Sequence, residues 1–248
     1  LVRIAVATTS VLVATIIFLG GGVLGTFHHL YFSGTPVGVI ALGSVFSALE
    51  VVPLLVVGFE AYSRAKHEGL HDWQKAYRWP FMFFSSVLVW NLIGAGLFGF
   101  LINPPLALYY MQGLNTTATH AHGALFGVYG MLGLGLILFC MRGLTDPARW
   151  NNKLLAISFW SLNIGLAMMV FLSLLPQGLW QSYLSFTHDY AYARSAEVIH
   201  GPVMETLVWA RVPGDIVFGI GAFAFAIFVA QAFWSTRKAR TVSLDPVN

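Results

Sequence analysis

Six apolar stretches run through this chain of 248 residues, at 3–27, 37–62, 80–102, 118–141, 154–176 and 203–235. Each is long enough to cross a hydrocarbon layer about 30 Å thick at about 1.5 Å of rise per residue. Backbone N–H and C=O groups find no water in such a layer, so stretches of this length must satisfy them internally as helices. The expected fold is therefore all-α, a polytopic bundle of six transmembrane helices in a lipid bilayer. Composition agrees, with 57% hydrophobic and 9% charged residues against about a quarter charged in soluble domains. The single Cys140 lies in an apolar run, so neither an intrachain disulfide nor a thiolate cluster is expected, and any metal chemistry must use other ligands.

The breaks between stretches are chemically distinct: Ser33-Gly34-Thr35-Pro36, a charged segment from Arg64 to Arg78, Asn103-Pro104-Pro105, Thr145-Asp146-Pro147, and a longer loop from Pro176 to Pro202. Basic residues gather at Arg3, in the 64–78 and 142–153 loops, and at Arg237, Lys238 and Arg240, while the alternate loops carry only Arg194. By the positive-inside rule both chain ends and those two loops are cytoplasmic. The net charge of +3 then records topology, and no nucleic-acid partner is expected. The chain opens on Leu1 without a methionine or signal-like region, which reads as a piece of a longer polypeptide.

Four of the eight histidines form two tight groups, His28-His29 at the outer end of the first stretch and His120-Ala121-His122 at the outer start of the fourth. Topology brings both to a similar depth, where ligating side chains are costly and signal function. On an α-helix His120 and His122 point about 200° apart, so they serve two different ions, and imidazole is a standard axial ligand of haem iron. His28 and His29 are about 100° apart, near enough for both to approach one non-haem iron or copper. The third ligand must then come from elsewhere. The plainer reading makes each histidine an interfacial polar residue bonded to loop carbonyls, which suits a lone histidine better than two groups. His67, His71 and His188 fall in loops and read as solvated, and His200 stays open between the two readings.

Glu50, within Ser47-Ala-Leu-Glu-Val-Val-Pro53, lies mid-stretch, where an unpaired charge is costly and a carboxylate is paired or carries its proton. Glu60, near the cytoplasmic end, can reach water and reads as structural. Glu205, Arg211 and Asp215 lie in the outer half of the last stretch. Arg211 and Asp215, at i and i+4, share a face, and the default is a buried ion pair. Leu132-Gly-Leu-Gly-Leu136 lacks a preceding strand and reads as a close-packing surface, not a nucleotide loop. Trp79, Trp150 and Trp180, near stretch ends, are expected to be interface anchors.

Gly25-Thr-Phe-His-His-Leu-Tyr-Phe-Ser-Gly-Thr-Pro36 and Thr119-His-Ala-His-Gly123 resemble the seventh and tenth helices of the haem–copper oxidase superfamily, and the whole chain resembles helices seven to twelve. The resemblance implies a fold like part of oxidase subunit I. It also implies that His28 and His29 hold the non-haem metal, His120 the high-spin haem b3 and His122 the low-spin haem b. Glu50 resembles the glutamate that nitric oxide reductases keep beside their non-haem iron. For Arg211 and Asp215 it offers salt bridges to haem propionates or, for Asp215, uptake of a quinol proton, with calcium between the propionates as an open addition.

Within the superfamily, the lysine that mainstream oxidases resemble one another in carrying on the second stretch is replaced by Glu50. The redox tyrosine of cbb3-type oxygen reductases is missing, since residues 1–27 contain no tyrosine. The resemblance is thus to nitric oxide reductases, and the wording around His28-His29 favours the quinol-oxidising, single-chain type of a bacterial inner membrane over the cytochrome c-linked one. The partners expected are quinol, nitric oxide and the N-terminal half of the same polypeptide. That half would supply a further histidine for the iron and one for haem b, so this piece alone is not expected to be active. A non-enzymatic alternative is a transporter or assembly bundle whose histidines bind metal or protons without haem.

Overall fold

The computed structural model describes residues 12–13, 15–16, 19–68 and 75–244, and among them every regular element is a helix. Helix α1 covers residues 19–30 and closes in a 3-10 turn, Thr26–Leu30; most of the stretch before it lies outside the described residues. Five further helices are long and apolar enough to cross a membrane: α2 (Val37–Glu60), α3 (Arg78–Ile102), α4 (Asn115–Leu144), α5 (Asn152–Thr187) and α6 (Pro202–Thr236). The chain is a multi-pass helical membrane protein.

None of α2 to α6 is a uniform rod. Helix α2 turns tightly at Glu50, whose N–H bonds to the Ser47 carbonyl at 3.2 Å. Pro53 explains the turn, because it has no N–H for the Leu49 carbonyl and its ring crowds that carbonyl. Helix α6 breaks at Ala210–Arg211, and Pro213 does the same to the Trp209 carbonyl. Helices α3, α4 and α5 each contain a π segment, at Asn91–Phe98, His122–Gly130 and Met169–Leu174.

The third π segment overturns one sequence expectation. Pro176 does not end α5, which continues to Thr187. The wider turn of Met169–Leu174 gives room just ahead of the proline ring, so the helix passes through it. The expected loop therefore shrinks to the residues after Thr187, and these hold two short turns, Tyr190–Ala193 and Ala196–Ile199.

Helices α3 to α6 enclose the main core, built from Phe83, Trp90, Met131, Leu162, Val170 and Phe228 among others. The α5–α6 contact is the most extensive. A Cβ at Gly165 would lie 2.5 Å from the Phe218 N, and one at Gly221 would lie 2.7 Å from the Leu162 N, so only a bare backbone fits. In the Gly-rich run of α4, Gly135 packs against the Phe84 ring, whereas Gly133 meets nothing within 4 Å. Close packing holds there for one of the two glycines.

Trp79 and Trp150 are not the interface anchors expected. Both are buried, and their ring N–H groups are bonded within the chain, Trp79 to the exposed Asn152 Oδ1 at 2.6 Å and Trp150 to the buried Thr145 Oγ1 at 2.9 Å. Each ring covers apolar core while its one donor keeps a partner. Trp180 is partly buried against the small cluster of Leu184, Ala193, Val198 and Met204.

Polar side chains tie the bundle at two depths. Midway, Asn163 Oδ1 accepts from Ser86 Oγ at 2.5 Å and Trp90 Nε1 at 2.9 Å, joining α5 to α3. Where α4 begins, its free Asn115 N–H donates to Gln181 Oε1 at 2.9 Å, and the Asn115 amide donates to Gln177 Oε1 at 2.8 Å. Helix α4 has no side-chain cap of its own, so α5 satisfies the opening donor. This clamp sits one turn ahead of His120.

Candidate metal and haem site

The first histidine pair lies on the 3-10 turn of α1. His28 is buried and His29 exposed, and their rings stand 4.0 Å apart at 37°. The turn is held by α2, since a Cβ at Gly43 would lie 2.6 Å from the His28 N. His28 Nδ1 is bonded to the Gly25 carbonyl.

The second pair spans the junction of α-helix and π-helix in α4. His120 Nδ1 reaches across to the Gly94 carbonyl of α3 at 2.8 Å, while His122 Nδ1 turns back to the Ala118 carbonyl at 2.9 Å. The two rings therefore take different faces of the helix.

Those three carbonyl contacts fix the chemistry of the rings. A carbonyl only accepts, so Nδ1 of His28, His120 and His122 must carry the proton, which leaves each Nε2 with a free lone pair. This is the form in which imidazole binds a metal, with its other nitrogen oriented by a hydrogen bond. In this form His28, His120 and His122 can each offer a ring nitrogen to a metal. Among the described residues no three His, Cys, Asp or Glu side chains converge to hold an ion by themselves; the pair at His28 and His29 needs a ligand from outside that set.

Glu50 comes to this site through glycine. A Cβ at Gly21 would lie 3.0 Å from Glu50 Cγ, and one at Gly25 would lie 3.2 Å from Glu50 Oε1. The carboxyl lies flat on the glycine face of α1, against the same Gly25 whose carbonyl orients His28. Sequence reasoning singled out Glu50 but not that face, although Gly21 and Gly25 stand at helical spacing in plain view.

Two further features escaped it. Gly94 and Gly123 pack backbone to backbone, a Cβ at Gly123 lying 2.7 Å from the Gly94 Cα, and so bring the π segments of α3 and α4 together beside His120. The buried Asn103 amide donates to Ser47 Oγ at 2.8 Å, joining α3 to the turn of α2 one residue triplet before Glu50. Nothing in the local sequence marks either pairing.

Arg211 and Asp215 form the expected ion pair, with Nε to Oδ1 at 3.0 Å, but their side chains are 36% and 47% exposed, so the pair is not buried. The break before Pro213 places both at the start of a helical segment. Arg211 also reaches Met169 Sδ at 3.8 Å. Glu205, His188 and His200 are exposed; His71 lies outside the described residues. After the turn of α1, Tyr31 donates to the Tyr109 carbonyl at 3.3 Å. Burial, with the Tyr109 and Tyr190 phenols nearby, raises its phenol above the ordinary value, so it remains a donor.

Comparison with known proteins agrees with this architecture. The family model described as Cytochrome C and Quinol oxidase polypeptide I matches residues 3–217. The chain is also 31% identical over 160 residues to a protein of Stutzerimonas stutzeri named as a nitric oxide reductase subunit, a match that covers 61% of this chain and 32% of that protein. The chain thus spans about a third of the length of that curated relative.

Proposed function

Because the chain belongs to the cytochrome c and quinol oxidase polypeptide I family, we propose that it forms the histidine-bearing part of a nitric oxide reductase. The reaction is the reduction of two nitric oxide molecules, with two electrons and two protons, to nitrous oxide and water. The observation that carries this reading is the His28–His29 pair, rings 4.0 Å apart, with the Glu50 carboxyl against Gly25. The similarity to a protein named for nitric oxide reduction supports it independently.

In this proposal His28 and His29 hold a non-haem iron, His120 the high-spin haem b3 and His122 the low-spin haem b. When bound, these groups supply the electrons and the paired irons that position and polarise nitric oxide. The residues do the rest. The carbonyls of Gly25, Gly94 and Ala118 keep Nε2 aimed outward, and the Gly94–Gly123 contact holds His120 at a set distance from α3. Glu50, kept at the site by the glycine face, holds a proton at its carboxyl and releases it towards the His28 side. Placing His120 and His122 on opposite faces of one helix makes α4 the wall between an entry site for electrons and the reacting site. Quinol is the proposed donor, and Arg211 with Asp215 is the proposed contact to a haem propionate or to quinol. The setting is a bacterial inner membrane.

A second reading has a specific ground. The relative is named as one subunit of its enzyme, which favours delivery of electrons by a partner such as a cytochrome c. The deciding experiment is anaerobic nitric oxide uptake by the intact protein in membranes, driven by reduced quinone or by reduced cytochrome c, beside oxygen uptake. Uptake with quinol and little oxygen use supports the first reading. Uptake with cytochrome c alone supports the second, and dominant oxygen reduction overturns both.

A further inference from the structure

Between α3 and α5, at the end of the bundle where basic residues gather, lies a groove of about 650 Å³. Phe81, Met82, Val89, Phe159 and Trp160 line its length, and Lys75 and Arg78 stand at its mouth. Arg142, which stacks over Tyr77 at 4.4 Å and donates to the Ala76 carbonyl, adds a further cation to that end. No carboxylate is among the described residues that line it.

The dimensions match half a bilayer. From Arg78 to Val89, α3 climbs about 16 Å at the helical rise, close to half of a hydrocarbon core about 30 Å thick. Helix α5 starts at the same end and brings Phe159 and Trp160 to a similar depth.

The few polar groups at the deep end bond mostly to one another and to the helix backbone. Ser85 Oγ donates to the Phe81 carbonyl at 2.9 Å, and Ser86 Oγ donates to Asn163 Oδ1 at 2.5 Å. Asn163 Nδ2 donates to the Phe159 carbonyl at 2.8 Å. A quinone ring placed there would find one remaining donor, the second N–H of Asn163 Nδ2, for its two carbonyls, whereas a hydrocarbon chain asks for none.

We propose that this groove binds one anionic phospholipid, its phosphate at Arg78 and Lys75 and an acyl chain along the α3–α5 crevice. Charge complementarity selects the headgroup, since cations at a membrane surface attract anionic lipid and have no net attraction for a zwitterion. The groove length selects a chain of one leaflet.

The test is native mass spectrometry of the intact, delipidated protein titrated with dioleoylphosphatidylglycerol or dioleoylphosphatidylcholine. The anionic lipid should bind at least about fivefold more tightly, and Arg78→Gln should remove about fivefold of that affinity, while Arg78→Lys retains most of it. Val89→Trp, which fills the crevice, should lower binding of the anionic lipid with the melting temperature unchanged. Equal affinity for the two lipids, the same affinity in Arg78→Gln and Arg78→Lys, unaltered binding in Val89→Trp, or one-for-one displacement of the lipid by a quinone would each overturn the proposal. The readout is bound lipid mass, so it stands apart from any result on nitric oxide turnover.

Discussion

His120 and Gly94 belong to different helices, yet the imidazole Nδ1 of one lies 2.8 Å from the carbonyl of the other, and Gly94 in turn rests on the backbone of Gly123, three residues beyond that histidine. The orientation of the ring and the spacing of α3 and α4 are therefore one property.

That coupling makes Gly123→Ala a sharp probe. Its Cβ would stand 2.7 Å from the Gly94 Cα, where only backbone movement makes room. The expected cost is about 1–3 kcal/mol of stability, the usual range for forcing a methyl into filled space, together with a broadened haem spectrum. Gly133→Ala, ten residues along the same helix and facing open space, should leave both unchanged or raise stability by up to about 1 kcal/mol. Chemical unfolding in mixed micelles and the haem absorbance of the purified protein compare the two.

Assigning His120 and His122 to different haems predicts separable losses. His122→Ala should remove the low-spin signal and keep the high-spin one, and His120→Ala should do the reverse. A low-spin spectrum unaffected by His122→Ala would sink the ligation.

Glu50→Gln retains the shape of the side chain on its glycine face and removes only its ability to exchange a proton. Haem and iron content should stay at wild-type level while nitric oxide turnover falls by about 10²-fold or more, the usual range for a displaced acid–base group. Metal analysis beside anaerobic uptake separates this from loss of iron; an active Glu50→Gln would leave the carboxylate a structural part only.

Asn163 holds two donors from α3, so Asn163→Leu strands Ser86 Oγ and Trp90 Nε1. In water each stranded donor costs about 1–3 kcal/mol, but interhelical hydrogen bonds in membranes average about 0.6 kcal/mol because the unfolded chain in lipid also finds partners. The membrane value governs here, and a total loss of about 1–2 kcal/mol is expected by unfolding in mixed micelles. A loss above about 4 kcal/mol would mean that Asn163 also supports packing that its hydrogen bonds do not explain.

Much of the site was readable along the chain. The HH and HxH groups, the mid-stretch Glu50 and the Arg211–Asp215 spacing are all local patterns, although that ion pair stands partly exposed where burial was expected. Other expectations failed for one shared reason. Trp79 and Trp150 were assigned to the interface by position along a stretch, and Pro176 to a helix end by its ring. Which way an indole faces depends on a partner such as Asn152 or Thr145, and whether a proline ends a helix depends on the turn ahead of it.

What the sequence determined by itself is the all-helical membrane-spanning architecture and the chemistry available to it. Long apolar stretches leave the backbone no other way to bond, and two histidine groups at one depth leave few other uses. Only the tertiary structure decided how those groups meet. The glycine face under Glu50, the Gly94–Gly123 contact and the carbonyls that orient His28, His120 and His122 are the joints of the site. Two of these joints, the glycine face and the Gly94–Gly123 contact, work by the absence of a side chain, and an absence acquires meaning only when another helix fills it.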